Sequence, residues 1–174
     1  LSCPEKWWVI GHPFVAKKAL KISLEARQKT DSIQQNKILI GEGNGDPIDA
    51  FRHAYWMAKL TQTIGERKAR KLGIAHEKGN YRDFKIGNKE DGTLPDKISS
   101  EMDLLNNEVG IKIGKELAII LAQKVVEEVK QGNCKIIKKD KQGIFLDSEG
   151  NMIPKENLIG KWENNKCLVE SNYE

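Results

Sequence analysis

The sequence has few cysteines, few aromatic residues and no long apolar run, and each shortage excludes a class of protein. Its three cysteines, Cys3, Cys134 and Cys167, are too few and too widely spaced for a disulfide scaffold or a zinc ribbon. The longest apolar run covers residues 117–122, far short of the ~18 residues that a membrane-spanning helix needs. For Cys134 and Cys167, the sequence favours neither a disulfide between them nor two unpaired thiols.

The charge is nearly balanced, so nucleic acid is not expected as a partner. The 174 residues include 29 basic and 25 acidic ones, and the resulting net charge of +4 is dispersed along the chain. The densest basic group, residues 67–71, follows Glu66 and is interpreted as the solvated face of a helix. With 39% hydrophobic residues, the composition predicts one globular domain of ordinary size.

The apolar periodicity predicts a mainly α fold, a bundle of four or more helices. The predicted helices cover residues 13–29, 47–63, 66–77 and 99–130. Asp46-Pro47 is a strong start signal, since the carboxylate caps the helix and proline suits its first turn. Ser99 or Ser100 is the expected cap of the last helix. Residues 79–95, rich in glycine and polar side chains, predict a long loop.

The two ends of the chain differ from the bundle. Short apolar runs separated by turn residues predict a small β-hairpin tail over 135–174, packed on a helical domain at 1–134 that carries the polar site.

Trp7 and Trp8 predict an apolar anchor for the N-terminus, with peripheral membrane contact as the alternative. The start at Leu-Ser-Cys3 fits a lipoprotein signal with a lipidated cysteine, and a trimmed chain would begin in the same way. We expect an exported protein (periplasmic, lipoprotein or secreted), with a cytoplasmic location as the alternative.

Three predicted helices turn polar side chains toward the interior. On the second helix, an arc of about 100° that would normally be aliphatic holds Asp49, Arg52 and His53. On the third helix, His76 lies in line with the inward apolar positions. Burying such groups costs several kcal/mol unless they satisfy one another or bind a metal or a ligand.

The start of the last helix repeats this pattern. Asp103, Asn106, Asn107 and Gly110 share an arc that continues into Ile113, which must belong to the core. A glycine inside a helix costs about 1 kcal/mol relative to alanine, so we expect another part of the chain to approach the backbone at Gly110.

The first interpretation of these groups is a metal site. His53, His76 and Asp103 would supply two imidazoles and a carboxylate to a divalent ion, with zinc as the first choice and positions left for water. Asp49 or Asn107 is expected as a further ligand or as the partner of an imidazole.

Two other interpretations stay open. In metal-free acid–base catalysis, a histidine–carboxylate pair would activate water while Arg52 stabilises a developing anion. The candidate pairs are His53 with Asp103 and His76 with Asp49. In the metal-assisted case, Glu77 or Glu101 would be the general base. The last interpretation is a satisfied polar network that fixes helix register and does no chemistry. The candidate catalytic residues are Arg52, His53, His76, Glu77, Asp103 and Asn107.

Three motifs occur in an order that resembles a known family. They are Asp49-Ala-Phe-Arg-His-Ala-Tyr-Trp56, Ala75-His-Glu77 and Met102-Asp-Leu-Leu-Asn-Asn-Glu-Val-Gly110. They resemble the core motifs of a bacterial all-helical domain family of unknown function, found in exported and toxin-like proteins, and the resemblance covers residues 10–130. Leu105 stands where family members often carry histidine.

The toxin-like contexts of that family imply a hydrolase acting on envelope material. Its substrate would be a phosphodiester, a phospholipid or the cell wall, and an immunity or carrier protein would be its partner. The alternative is a non-catalytic binding or accessory module of an exported protein.

Overall fold

The computed structural model describes residues 1–89, 93–116 and 120–173. It is mainly helical, with a small antiparallel sheet near the C-terminus, which confirms the predicted fold class. The helices are α1 (Cys3–Gly11), α2 (Pro13–Gln35), α3 (Pro47–Ile64), α4 (Glu66–Ile86), α5 (Lys97–Lys115) and α6 (Leu121–Lys130), and the strands are β1 (Lys135–Ile137) and β2 (Leu168–Glu170). No helix in the described part of the chain has the length and apolar character needed to cross a membrane.

The central helix α3 begins and ends where its sequence signals predict. The side chain of Asp46 accepts hydrogen bonds from the backbone N–H groups of Ile48 and Asp49, and Pro47 occupies the first turn. Gly65, with φ 86°, ends the helix. Two core clusters include residues of α3, and Asp49 and His53 are buried among its apolar side chains.

Closely approaching backbones join α3 to α5. A Cβ on Gly110 would collide with the backbone carbonyl of Ala54, and one on Gly114 would lie 2.5 Å from the carbonyl oxygen of Ala58. The expected approach of another segment to Gly110 is therefore confirmed, and the segment is the backbone of α3. This contact positions the first two turns of α5 beside the first turns of α3.

Helices α4 and α2 both extend beyond their predicted ends. The predicted loop over 79–95 is wrong in its first part, because α4 continues to Ile86 before Gly87, with φ 70°, ends it. Gly79 fits within this helix because it lies against the side chain of Ser2, where a Cβ would collide. Helix α2 also continues six residues beyond the predicted end at Lys29, to Gln35.

The predicted 30-residue helix is two helices. α5 begins at Lys97, with Asp96 as its cap rather than Ser99 or Ser100, and ends at Lys115, while α6 begins at Leu121. Residues 117–119 of the predicted helix lie outside the described residues. A straight helix of about 45 Å would run well past α3, whose 18 residues span about 27 Å. The break allows both α5 and α6 to pack against α3.

The N-terminus and the tail complete the structure. Residues 3–11, predicted only as an anchor, form α1, in which Trp8 is buried and Trp7 is exposed. In the tail, β1 pairs antiparallel with β2, and residues 138–167 join the strands, so the connection is much longer than a tight hairpin turn. Cys134 and Cys167 are free thiols.

Candidate functional site

Asp49, His53 and Asp103 come together at the α3–α5 contact. The Nε2 atom of His53 lies 3.5 Å from Oδ1 of Asp49 and 3.3 Å from Oδ1 of Asp103. One potential ligand atom from each residue lies within 4.8 Å of the other two, and all three residues are buried. Two carboxylates and an imidazole at this spacing could hold a metal ion. We call these three residues the Asp–His–Asp group.

Local structure fixes the half of the group that α3 provides. Asp49 and His53 are one turn apart, so their side chains lie on the same face of the helix. The Oδ2 atom of Asp49 accepts a hydrogen bond from the backbone N–H of Gly45 at 2.7 Å. Its Oδ1 atom accepts one from the Arg52 guanidinium at 2.6 Å. These contacts orient the carboxylate toward the imidazole.

Several buried polar atoms around the group make no hydrogen bond of good geometry within the described structure. They include Nδ1 of His53, Oδ1 of Asp103, and both Oδ1 and Nδ2 of Asn107. Native proteins leave few buried polar atoms unsatisfied, and each one calls for an explanation such as a bound ion or ligand. Asn107 nevertheless lies within hydrogen-bonding reach of His53, so these side chains fit a bound ion and a structural network alike.

The electrostatics of the group favour a cation. Burial, together with the positive charges of Arg52 and His76, holds the pKa of His53 well below its usual range, so the imidazole is neutral at neutral pH. Burial and the neighbouring carboxylates of Asp49 and Glu77 raise the pKa of Asp103 well above its usual range. A neutral imidazole is ready to bind a metal, and a divalent ion would stabilise the Asp103 carboxylate that its surroundings now disfavour.

The two predicted residues on α4 lie beside the group. The Nδ1 atom of His76 is 3.1 Å from Oε1 of Glu5, and its ring centroid is 6.4 Å from that of His53. Glu77 is buried, and its Oε2 atom accepts a hydrogen bond from Asn80 at 3.1 Å. A role for His76 as a metal ligand and for Glu77 as a base stays a prediction.

The remaining predicted residues differ in their exposure. The side chain of Arg52 is 28% exposed, so it connects the buried Asp–His–Asp group with the surface. Asn107 is buried beside His53, whereas Glu101 is exposed. The sequence predicts Asp49 as a further ligand, as the partner of an imidazole or as the partner of His76, and it gives no indication of Glu5, which contacts His76 in the structure. The spacing of four residues between Asp49 and His53 is the signal that identifies Asp49, but no local pattern identifies Glu5.

Residues 6–136 match the model of DUF6973, a domain of unknown function. The chain belongs to this family. The match extends slightly beyond the expected range of 10–130 at both ends, and it includes most of α1, all of α2 to α6 and most of β1. Comparison of this DUF6973 domain with the curated proteins and with the solved structures gives no match.

Proposed function

We propose that this DUF6973 domain is a metal-assisted hydrolase in which Asp49, His53 and Asp103 hold one divalent ion. The observation that carries the proposal is the convergence of three ligand-type side chains on one buried point. Zinc is the first candidate, because imidazole and carboxylate ligands with open positions are typical of hydrolytic zinc sites. Such an ion supplies a water of lowered pKa and polarises the bond to be broken.

The chain's own residues have distinct roles in this proposal. Arg52 reaches from the surface to Asp49 and would attract an anionic substrate to the site. Asn107 has a buried amide whose N–H groups could donate to a substrate oxygen. Glu77, buried close enough to raise the pKa of Asp103, is the candidate to accept a proton.

The proposed substrate class rests on the positive charge of Arg52 and on the resemblance to toxin-like proteins. A guanidinium beside the site favours an anionic ester, so phosphodiesters and phospholipids come before neutral cell-wall material. Action on envelope material, export from the cell and an immunity or carrier protein as partner belong to the same proposal, through the resemblance to toxin-like proteins.

The strong burial of the group supports a second candidate. His53 and Asp103 are only 5% and 8% exposed, which suits an accessory module whose polar network fixes the α3–α5 register. In this case the protein would bind no metal and would act through its surface.

Elemental analysis of the purified, untagged protein tests the proposal. We expect about one equivalent of metal in the wild type and in Asp31→Asn, a matched control at an exposed position on α2, and much less in Asp103→Asn and His53→Gln. Circular dichroism confirms that each variant is folded. Absence of metal from the wild type after incubation with zinc, manganese, iron and calcium would refute the metal site.

Activity is measured separately on the metal-loaded protein. The probes are bis(p-nitrophenyl) phosphate, phospholipid vesicles and peptidoglycan, and we expect hydrolysis that Asp103→Asn abolishes. Metal binding without hydrolysis of any probe would refute the enzymatic part and leave a metal-binding module.

A further inference from the structure

Large apolar side chains cover the outer side of α1 and of the first turns of α2. Trp7, Ile10 and Phe14 are 69%, 66% and 95% exposed, and Leu20 and Leu24 continue the row along α2. Trp8 of α1 and Ala19 and Ile22 of α2 belong to one core cluster, and the exposed apolar side chains lie outside it. Apolar rows of this size are uncommon on a monomeric surface and mark interaction sites.

Basic side chains accompany this apolar row, and we call the two together the α1–α2 face. Its exposed lysines are Lys6, Lys17, Lys18 and Lys21. The first 30 residues contain two acidic side chains, Glu5 and Glu25. Glu5 is turned inward to a histidine of α4, and Glu25 is ion-paired with Lys59 at 2.8 Å. The α1–α2 face therefore has an excess of positive charge among its apolar side chains.

An open groove of about 460 Å³ extends the positive charge to the start of α4. His12, from the junction of α1 and α2, lines this groove together with Arg67, Lys68 and Lys71. The acidic residue of the groove, Glu66, is ion-paired with the next turn of α4. The basic residues of 67–71, whose sequence pattern predicts a solvated helix face, thus lie beside the junction of α1 and α2.

We infer that the α1–α2 face binds an anionic phospholipid surface. Trp7, Ile10 and Phe14 would enter the headgroup layer, where aromatic and aliphatic side chains partition favourably. The lysines and the basic groove would meet the lipid phosphates, each lysine adding about fivefold to the affinity at low salt. This inference rests on a surface separate from the Asp–His–Asp group and does not depend on the proposed function.

Charge and polarity favour lipid over other occupants. A two-fold contact between copies of this chain would place the lysines of one face against those of the other, which is unfavourable. A nucleic acid would match the positive charge but would leave Trp7 and Phe14 without an apolar partner. A membrane surface offers both negative phosphates and an apolar layer.

Sedimentation with vesicles tests the inference. The probes are vesicles of pure phosphatidylcholine and of phosphatidylcholine mixed with phosphatidylglycerol. We expect binding to the mixed vesicles that weakens with salt, and a blue shift of tryptophan emission that Trp7→Phe removes while binding is retained. The double variant Lys17→Gln/Lys21→Gln should bind about 25-fold more weakly.

The apolar contribution needs a matched comparison. Trp7→Ser/Phe14→Ser should lose most of the binding, whereas Ile40→Ser/Ile159→Ser, at 84% and 74% exposed positions outside the face, should not. Equal loss in both double variants, equal binding to neutral vesicles, or no binding to either kind would overturn the inference. So would a dimer in ultracentrifugation that Phe14→Ser dissociates, or retention of DNA that depends on the lysines alone. Retained vesicle binding by Asp103→Asn separates this result from the fate of the proposed metal site.

Discussion

Replacing Asp103 by asparagine should change the stability of the protein in opposite directions with and without metal. The substitution keeps the shape of the side chain and removes its charge. In the metal-free protein, Asp103 is buried beside Asp49 and Glu77, and its ionised form is disfavoured. Removing a buried, strained charge of this kind typically stabilises a protein, so we expect a gain of about 1–2 kcal/mol at pH 7.5.

Bound metal should make the wild type more stable than Asp103→Asn. A ligand at about 100 times its dissociation constant stabilises the folded state by about 2.7 kcal/mol, which for a protein of this size is roughly 5–11 °C in Tm. The wild type should show this gain with zinc. Asp103→Asn has lost one of the three ligands and should gain little, so the wild type becomes the more stable of the two.

The pH dependence gives the same test a second readout. The pKa of Asp103 is raised on folding, so in the metal-free protein the folded state holds this proton more tightly than the unfolded state. Its contribution to stability is present at low pH and is lost as pH rises through the raised pKa. The difference between Asp103→Asn and the wild type should therefore be small below pH 4 and should increase with pH.

Differential scanning calorimetry with a chelator and with zinc provides the measurement, and Asp31→Asn is the exposed control. Under the metal-site hypothesis, the Tm order of wild type and Asp103→Asn reverses between the two conditions. A loss of about 3 kcal/mol or more in both conditions would refute the reasoning, because it would show that Asp103 completes a structural network.

Three further predictions concern the residues that hold the helices and the tail around the site. Gly110→Ala should cost about 2–4 kcal/mol in urea unfolding, because its Cβ would collide with the carbonyl of Ala54, and an unchanged midpoint would contradict the close approach. Asn106→Ala should cost about 2–3 kcal/mol and increase amide exchange in the tail, since the Asn106 side chain bonds to both N–H and C=O of Lys135, at 2.8 and 2.9 Å. Burial raises the pKa of Glu5, but hydrogen bonds with His76 and with Ser2, the cap of α1, outweigh this effect and lower the pKa to about 2. The stability that Glu5 adds should be complete above pH 4.5 and lost as pH falls toward 2, so Glu5→Gln should flatten the acid limb of a Tm–pH curve.

The part of the site that lies on one helix could be predicted from the sequence. The Asp46-Pro47 signal places the start of α3, and the helical period then puts Asp49 and His53 on one face. The same period shows that Asp103 faces inward on its own helix. It does not show which helix lies opposite, since that depends on packing between segments far apart in the chain.

The helix boundaries and contacts that the sequence did not predict depend on packing between distant segments. Gly79 is typical of a loop by propensity, but tertiary contact with Ser2 makes a glycine suitable inside α4. The contact between Glu5 and His76 joins residues 71 positions apart and depends on α1, which the sequence did not predict as a helix. Helices α5 and α6 both pack on α3, so the apolar stripe continues from one to the other. A continuous stripe of this kind does not reveal that the helix is interrupted between them.

The geometry of the Asp–His–Asp group is fixed from two sides. On one side, Gly110 allows α5 to touch the backbone of α3, and this close approach brings Nε2 of His53 within 3.3 Å of Oδ1 of Asp103. On the other side, the side chain of Asn106 hydrogen-bonds to the backbone of Lys135 at the start of β1, and the next residue, Asn107, contacts His53. A site held this way is preorganised, and preorganisation lowers the cost of bringing two carboxylates together before an ion arrives. The same rigidity predicts that the tail supports the site, so that Asn106→Ala should weaken metal binding even though Asn106 is no ligand.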